Sequence, residues 1–150
     1  MSDAASLSVV HRVRKRQRDQ AAAAVAEIQA AAATLEEQIS QARRHLDAAA
    51  IERTRRQSGS IDVSSLLDWQ RYEIQLDAHH RTLLERKEIL EAEGARRDAE
   101  LVRCQQGLKA VETLQDRHAE RARERAAKQL QSRLDEWTMT RVAMRHDRFT

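Results

Sequence analysis

The chain has 150 residues, of which 34% are charged and 3% aromatic, and it contains three glycines and no proline. Alanine, glutamate, glutamine, arginine and leucine dominate, and nearly all of these residue types favour helix. Such a composition argues against a closed globular core with a catalytic pocket and is typical of long coiled-coil helices.

The net charge of +3 is distributed unevenly along the chain. Residues 1–20 carry five basic and two acidic side chains, residues 117–150 carry nine and five, and the middle carries thirteen and seventeen. Basic ends of this kind suit nucleic acid, an anionic membrane or an acidic protein surface.

Cys104 is the only cysteine, so no disulfide within the chain is expected. No segment has the features of a signal peptide, and none approaches the roughly 18 apolar residues of a transmembrane helix. We therefore expect a cytoplasmic protein that does not insert into membranes.

The first predicted element is a helix over about residues 5–56. Its apolar residues follow a 3-4-3-4 spacing, which predicts a coiled-coil seam of nearly four heptads. The seam residues are Val25, Ile28, Ala32, Leu35, Ile39, Ala42, Leu46 and Ala49.

A single break follows at residues 57–64, where serine, glycine and aspartate collect after a basic helix end. Gly59 is predicted to take the left-handed conformation that ends many helices. Ser65, with Asp68 three residues later, resembles a capping box that opens the next helix.

The second predicted helix runs from about residue 65 to about residue 146, and its seam column begins at Trp69. With the turn centred near residues 60–61, antiparallel partners should have residue numbers that add to about 121. The first helix then ends opposite about residue 117, and the basic remainder of the second helix extends beyond it with an apolar stripe. The predicted fold class is all-α, a long antiparallel two-helix coiled-coil hairpin in a single domain, 1–150, with the second helix longer.

No sequence motif indicates catalysis, because a phosphate-binding glycine loop, a cysteine pair and a metalloprotease motif are all missing. Two thin helices also offer no protected site that would shift a pKa. His45, His79 and His80 form the one metal-like arrangement, and an exposed cluster without a metal is favoured because structural zinc takes four ligands. We expect no enzyme activity, no cofactor and no metal.

Trp69 and Tyr72 concentrate aromatic bulk just after the turn. Either they fasten the tip of the hairpin, or they form a face that binds a partner, since aromatic side chains are frequent interface anchors. Trp69 lies in the seam column and Tyr72 lies beside it, so Tyr72 is the better contact candidate.

Two functional classes without a family assignment stay open. A nucleic-acid binder would use the basic ends on phosphates, but these ends are interleaved with acidic residues and lack base-stacking aromatics. A structural coiled-coil scaffold would dimerise through the extension of the second helix.

The chain resembles the FliJ family of flagellar export proteins. Its segment Trp69–Leu76 matches that family's aromatic-x-x-aromatic-x-x-x-Leu pattern, and the run Leu114–His118, followed by Leu134–Glu136, is similar to a later family segment. The YscO-type proteins of injectisome type III secretion share this architecture and are an alternative.

The resemblance implies a cytoplasmic stalk, peripheral at the inner membrane, that promotes assembly and activity of a hexameric export ATPase. It also implies contacts with the export gate's cytoplasmic domain and with export chaperones, no nucleic acid, and a monomer when free. The residues implied for gate binding are Trp69, Tyr72, Leu76, His79 and Leu83. The basic residues expected to enter the ATPase ring are Arg12, Arg14, Arg16, Arg18, Arg121, Arg123, Arg125, Lys128 and Arg133.

Overall fold

Two helices account for nearly all of the structure, a computed structural model that describes residues 2–60 and 62–149 (for Ser2 only the backbone). Helix α1 spans Ser2–Gln57 and α2 spans Val63–Asp147. The described residues contain no strand, and the longer α2 pairs with α1. The predicted all-α two-helix hairpin is confirmed. The prediction of a single domain over 1–150 remains a prediction.

The connection between the helices differs in detail from the predicted turn, 57–64, within which Ile61 lies outside the described residues. No described glycine has a positive φ, so the prediction of a left-handed Gly59 is wrong. Instead, the Gly59 amide donates to the Arg56 carbonyl at 3.5 Å, and the Ser58 hydroxyl donates to the Arg55 carbonyl at 2.7 Å. These bonds satisfy carbonyls that the last helical turn leaves without partners.

Helix α2 begins two residues earlier than predicted because Asp62 caps it. The Asp62 carboxylate accepts a hydrogen bond from the Ser64 amide at 3.2 Å, and its carbonyl accepts one from the Leu66 amide at 3.0 Å. An aspartate in this position satisfies an otherwise free helical N–H. The predicted cap, Ser65, instead accepts a bond from the Arg56 guanidinium at 3.2 Å.

The chain divides into two compact units, which we describe separately. The turn unit is Arg18–Cys104, and the end unit comprises the described residues of Met1–Gln17 and Gln105–Thr150. In the turn unit, Leu35, Ala42 and Leu83 form the buried cluster, with Ile39 and Leu90 packed against it. All eight predicted seam residues of α1 are buried or half-buried, which confirms the heptad spacing.

Contacts across the turn unit agree with the predicted antiparallel register. The Lys87 ammonium lies 2.6 Å from the Glu36 carboxylate, and their residue numbers add to 123. The Arg97 guanidinium donates to the Ala24 carbonyl at 3.1 Å, and these numbers add to 121. The register near 121 is therefore confirmed in this unit.

In the end unit, Leu108 and Val111 are buried, and the His11 ring lies 3.3 Å from the Glu112 carboxylate. Burial stops at Gln115, which is half-buried, and every residue from Asp116 to Phe149 is exposed. We call residues 116–149 the terminal segment. It is the predicted extension of the second helix beyond the pairing.

Candidate interaction surfaces

The aromatic pair after the turn combines one side chain held in the seam with one that faces solvent. Trp69 is half-buried, and its indole N–H donates to the Ala49 carbonyl at 3.3 Å, while the Arg56 guanidinium lies 4.8 Å from the ring centroid. Tyr72 stands 5.3 Å from Trp69 between ring centroids and is 43% exposed. Trp69 thus fastens the tip, and Tyr72 offers contact surface.

The other three residues proposed for gate binding differ in accessibility. His79 is exposed and lies seven residues after Tyr72, so the two share one side of α2. Leu76 is half-buried, and Leu83 is only 1% exposed. Leu83 therefore has no side-chain surface for a partner, and an effect of its loss on binding would be an effect on packing.

The basic residues near the start of α1 are not equally available to a partner. Arg12, Arg14 and Arg16 are exposed members of the end unit. The Arg14 side chain packs beside Gly107, where an added Cβ would lie 3.5 Å from its Nη1. Arg18 belongs to the turn unit, is half-buried and pairs with its neighbour Asp19 at 2.7 Å.

The five basic candidates on α2 all lie in the terminal segment. None of them makes an ion pair within the described part of the chain, and all are exposed. They are Arg121, Arg123, Arg125, Lys128 and Arg133. Their spacing of two to five residues spreads them around the helix, so they form a charged sleeve and not a single stripe.

Large apolar side chains follow in the last twenty residues of the terminal segment. Leu130, Leu134, Trp137 and Met144 are 54–67% exposed. The Arg141 guanidinium lies 4.7 Å from the Trp137 ring centroid, a cation–π contact. The apolar stripe expected from the sequence is therefore present, and no described residue covers it.

A family model described as "Flagellar FliJ protein" matches residues 3–146, which is nearly the whole chain. The chain belongs to the FliJ family. Comparison with curated proteins and with solved structures gives no match. As a FliJ-family member, the chain is a non-catalytic component of flagellar type III export.

No group of three or more histidine, cysteine, aspartate and glutamate side chains is arranged to hold a metal ion in the described part of this FliJ-family chain. Of the three histidines considered as a metal site, His45 and His79 are exposed and His80 is half-buried. Cys104 is half-buried, and its thiol lies 3.7 Å from the Glu100 carboxylate.

Sequence analysis missed one feature of the α1–α2 contact, an open groove of about 320 Å³. Gly94 lines it, and a Cβ added there would lie 3.2 Å from the Ile28 side chain. Glycine disfavours helix, yet α2 runs through Gly94 without a break. Ala32, a small residue of the α1 seam, lines the same groove.

Proposed function

We propose that this FliJ-family chain is a cytoplasmic stalk, peripheral at the inner membrane, whose end unit enters the export ATPase ring. There it promotes ring assembly and ATP hydrolysis, and it links the ring to the export gate and to substrate chaperones. The observation that carries the proposal is the terminal segment, which is helical as far as Asp147, exposed throughout and basic, with nine basic against six acidic side chains.

A basic helix with exposed side chains suits the lumen of a ring that is lined with carboxylates. Complementary charge speeds association and fixes orientation more than it adds affinity. The sleeve of arginines and lysine presents charge in several directions, as a helix surrounded by subunits requires. Because exposed ion pairs contribute less than about 1 kcal/mol each, the charges must act together.

The experiment replaces four sleeve residues at once and measures stimulation of a purified export ATPase. Changing Arg121, Arg123, Arg125 and Lys128 to glutamine should lower stimulation several-fold at equal helicity. The remaining stimulation should depend less on salt, because fewer charges are left to screen.

The matched control removes four exposed arginines from the turn unit, Arg43, Arg44, Arg96 and Arg103. This variant has the same net charge as the sleeve variant, so an effect of total charge alone would appear in both. We expect it to stimulate the ATPase as the parent does. Equal stimulation by the sleeve variant and the parent would contradict insertion of the sleeve.

Gate binding is proposed for the side of α2 that carries Tyr72 and His79. Tyr72→Ala should weaken binding to the gate's cytoplasmic domain about tenfold, as loss of an aromatic anchor does. Ile74→Ala is the control, since Ile74 is 68% exposed on another side of the same helix. Unchanged gate binding by Tyr72→Ala, with the fold intact, would remove Tyr72 from the interface.

The free protein is proposed to be a monomer, which sedimentation measures directly. A stable dimer that leaves ATPase activity unchanged would support a structural scaffold instead. The described residues contain no helix long and apolar enough to cross a membrane.

A further inference from the structure

The last part of α2 carries a second regular pattern, distinct from the seam that pairs with α1. Successive members are four and three residues apart, so they lie on one side of the helix. These members are Leu130, Leu134, Trp137, Arg141 and Met144, with Arg148 at the same spacing one residue beyond the helix end. We call them the terminal stripe. Its four apolar side chains are all more than half exposed.

Charges are sorted by sign around the terminal stripe. At 100° per residue, Arg133 and Arg145 fall on the same half of the helix surface as the stripe. Asp135, Glu136 and Asp147 all fall on the opposite half. One half is thus apolar and cationic, and it contains no carboxylate between residues 130 and 148.

The position of Arg141 indicates which kind of partner can bind the apolar and cationic half of the helix. It lies within the apolar stripe, with its guanidinium 4.7 Å from the Trp137 ring centroid. In a seam between two copies of this half, which carries no carboxylate, Arg141 would be buried without a partner, which is costly. At a lipid surface its long stem can stay with the apolar side chains while the guanidinium binds a phosphate.

Tryptophan, leucine and methionine beside arginines are the residue types of helices that lie in the membrane interface. We propose that residues 130–148 dock flat on an anionic lipid surface through the terminal stripe. The apolar side chains enter the boundary between headgroups and acyl chains, and Arg133, Arg141, Arg145 and Arg148 contact lipid phosphates. Of the sleeve residues, only Arg133 lies on the docking half, and residues 121–128 take no part in docking. The variant at residues 121–128 therefore tests ring binding separately from lipid binding.

The test uses the full chain with two kinds of vesicle, one of phosphatidylcholine alone and one containing 30% phosphatidylglycerol. Co-sedimentation should show at least about tenfold stronger binding to the anionic vesicles, and the difference should shrink with added salt. Tryptophan fluorescence should shift to shorter wavelength on binding. No binding, or equal binding to both kinds of vesicle, would overturn the proposal.

Two double variants test whether the terminal stripe is the side of the helix that docks on lipid. Leu134→Ala with Trp137→Ala should weaken anionic-vesicle binding at least about tenfold, since two large anchors are lost. The control is Met139→Ala with Val142→Ala, which removes apolar side chains that are 76% and 63% exposed on the opposite half. This control should bind as the parent does. Equal losses in both variants would show that the stripe is not the docking face.

Two further variants test the roles of the tryptophan and of the arginines, and the outcomes also distinguish a lipid surface from a protein partner. Trp137→Phe should keep vesicle binding but lose the fluorescence shift, because the other tryptophan, Trp69, is held in the seam. Arg141→Gln with Arg145→Gln should reduce the preference for anionic vesicles. If the Leu134/Trp137 variant loses ATPase stimulation while the parent shows no vesicle binding, the stripe binds protein and the lipid proposal fails. Failure of the sleeve variant to affect the ATPase, with vesicle binding intact, contradicts only the ring proposal.

Discussion

Leu83 and Leu84 are adjacent in α2, yet they have opposite surroundings. Leu83 is 1% exposed and Leu84 is 40% exposed. Leu83 packs with Leu35 and Ala42 in the buried cluster, so a truncated side chain there leaves a cavity between the helices.

Leu83→Ala should therefore lower the free energy of unfolding by about 2–5 kcal/mol. Leu84→Ala removes the same atoms from a largely exposed site and should cost less than about 1 kcal/mol. Chemical denaturation followed by circular dichroism measures both. Similar losses in the two variants would mean that the assigned register of α2 is wrong by one residue.

The ion pair between Lys87 and Glu36 should make stability depend on alkaline pH. Its hydrogen bond, and then the negative charge of Glu36, raise the pKa of Lys87 above the ordinary value of 10.5. Because the pKa is raised on folding, the pair stabilises the fold below the ordinary pKa and stops doing so as pH rises through the folded one.

The measurement compares the parent with Glu36→Gln across this range. The stability difference between them should be constant up to about the ordinary lysine pKa and then shrink. Glu37→Gln is the control, since Glu37 pairs with Arg44 on α1 itself. A difference that stays constant at alkaline pH would show that Lys87 does not titrate with this pair.

At the scale of the helix, α2 contains two glycines in unlike surroundings. A Cβ at Gly107 would be in ordinary contact with the flexible Arg14 side chain at 3.5 Å. A Cβ at Gly94 would press on Ile28 at 3.2 Å, so that side chain would have to move.

Gly107→Ala should raise the free energy of unfolding by about 0.5–1 kcal/mol, because alanine loses less entropy in a helix. Gly94→Ala has the same intrinsic gain, but the displaced Ile28 offsets it, so its net gain should be smaller or negative. Thermal melts of both variants check the difference. An equal rise in Tm would mean that Ile28 adapts without cost.

The terminal segment should add helix without adding stability to the hairpin. Removing residues 130–150 should reduce the helical signal in proportion but change the Tm by no more than about 2 °C, since no described side chain there is buried. Leu108→Ala, at a site 5% exposed, should lower the Tm by several degrees. A large fall in Tm on truncation would reveal packing in the terminal segment.

For the molecule as a whole, the sequence predicted the helices, their register and the α1 seam. It could do so because a heptad repeat indicates which side of a helix is buried. It did not predict the start of α2, since Asp62 and Ser65 are both good caps and only tertiary contact with Arg56 separates them. The family resemblance placed Leu83 on the gate-binding face, whereas the structure buries it to 1% exposure. Sequence analysis also missed the groove at Gly94, because close approach of two helices depends on pairs of distant residues.

The antiparallel pairing of α1 with α2 also sets the order in which contacts between the helices can form while the chain is synthesised. Arg56 and Ser65, which bond across the turn, are separated by nine residues, whereas His11 and Glu112 are separated by 101. A ribosome that adds about 5–20 residues per second takes about 5–20 s to cover the longer interval. Pairing therefore closes from the turn outward, as each length of α2 leaves the ribosome. His11, although made earlier than Arg56, therefore finds its partner later, after about a hundred more residues have been added.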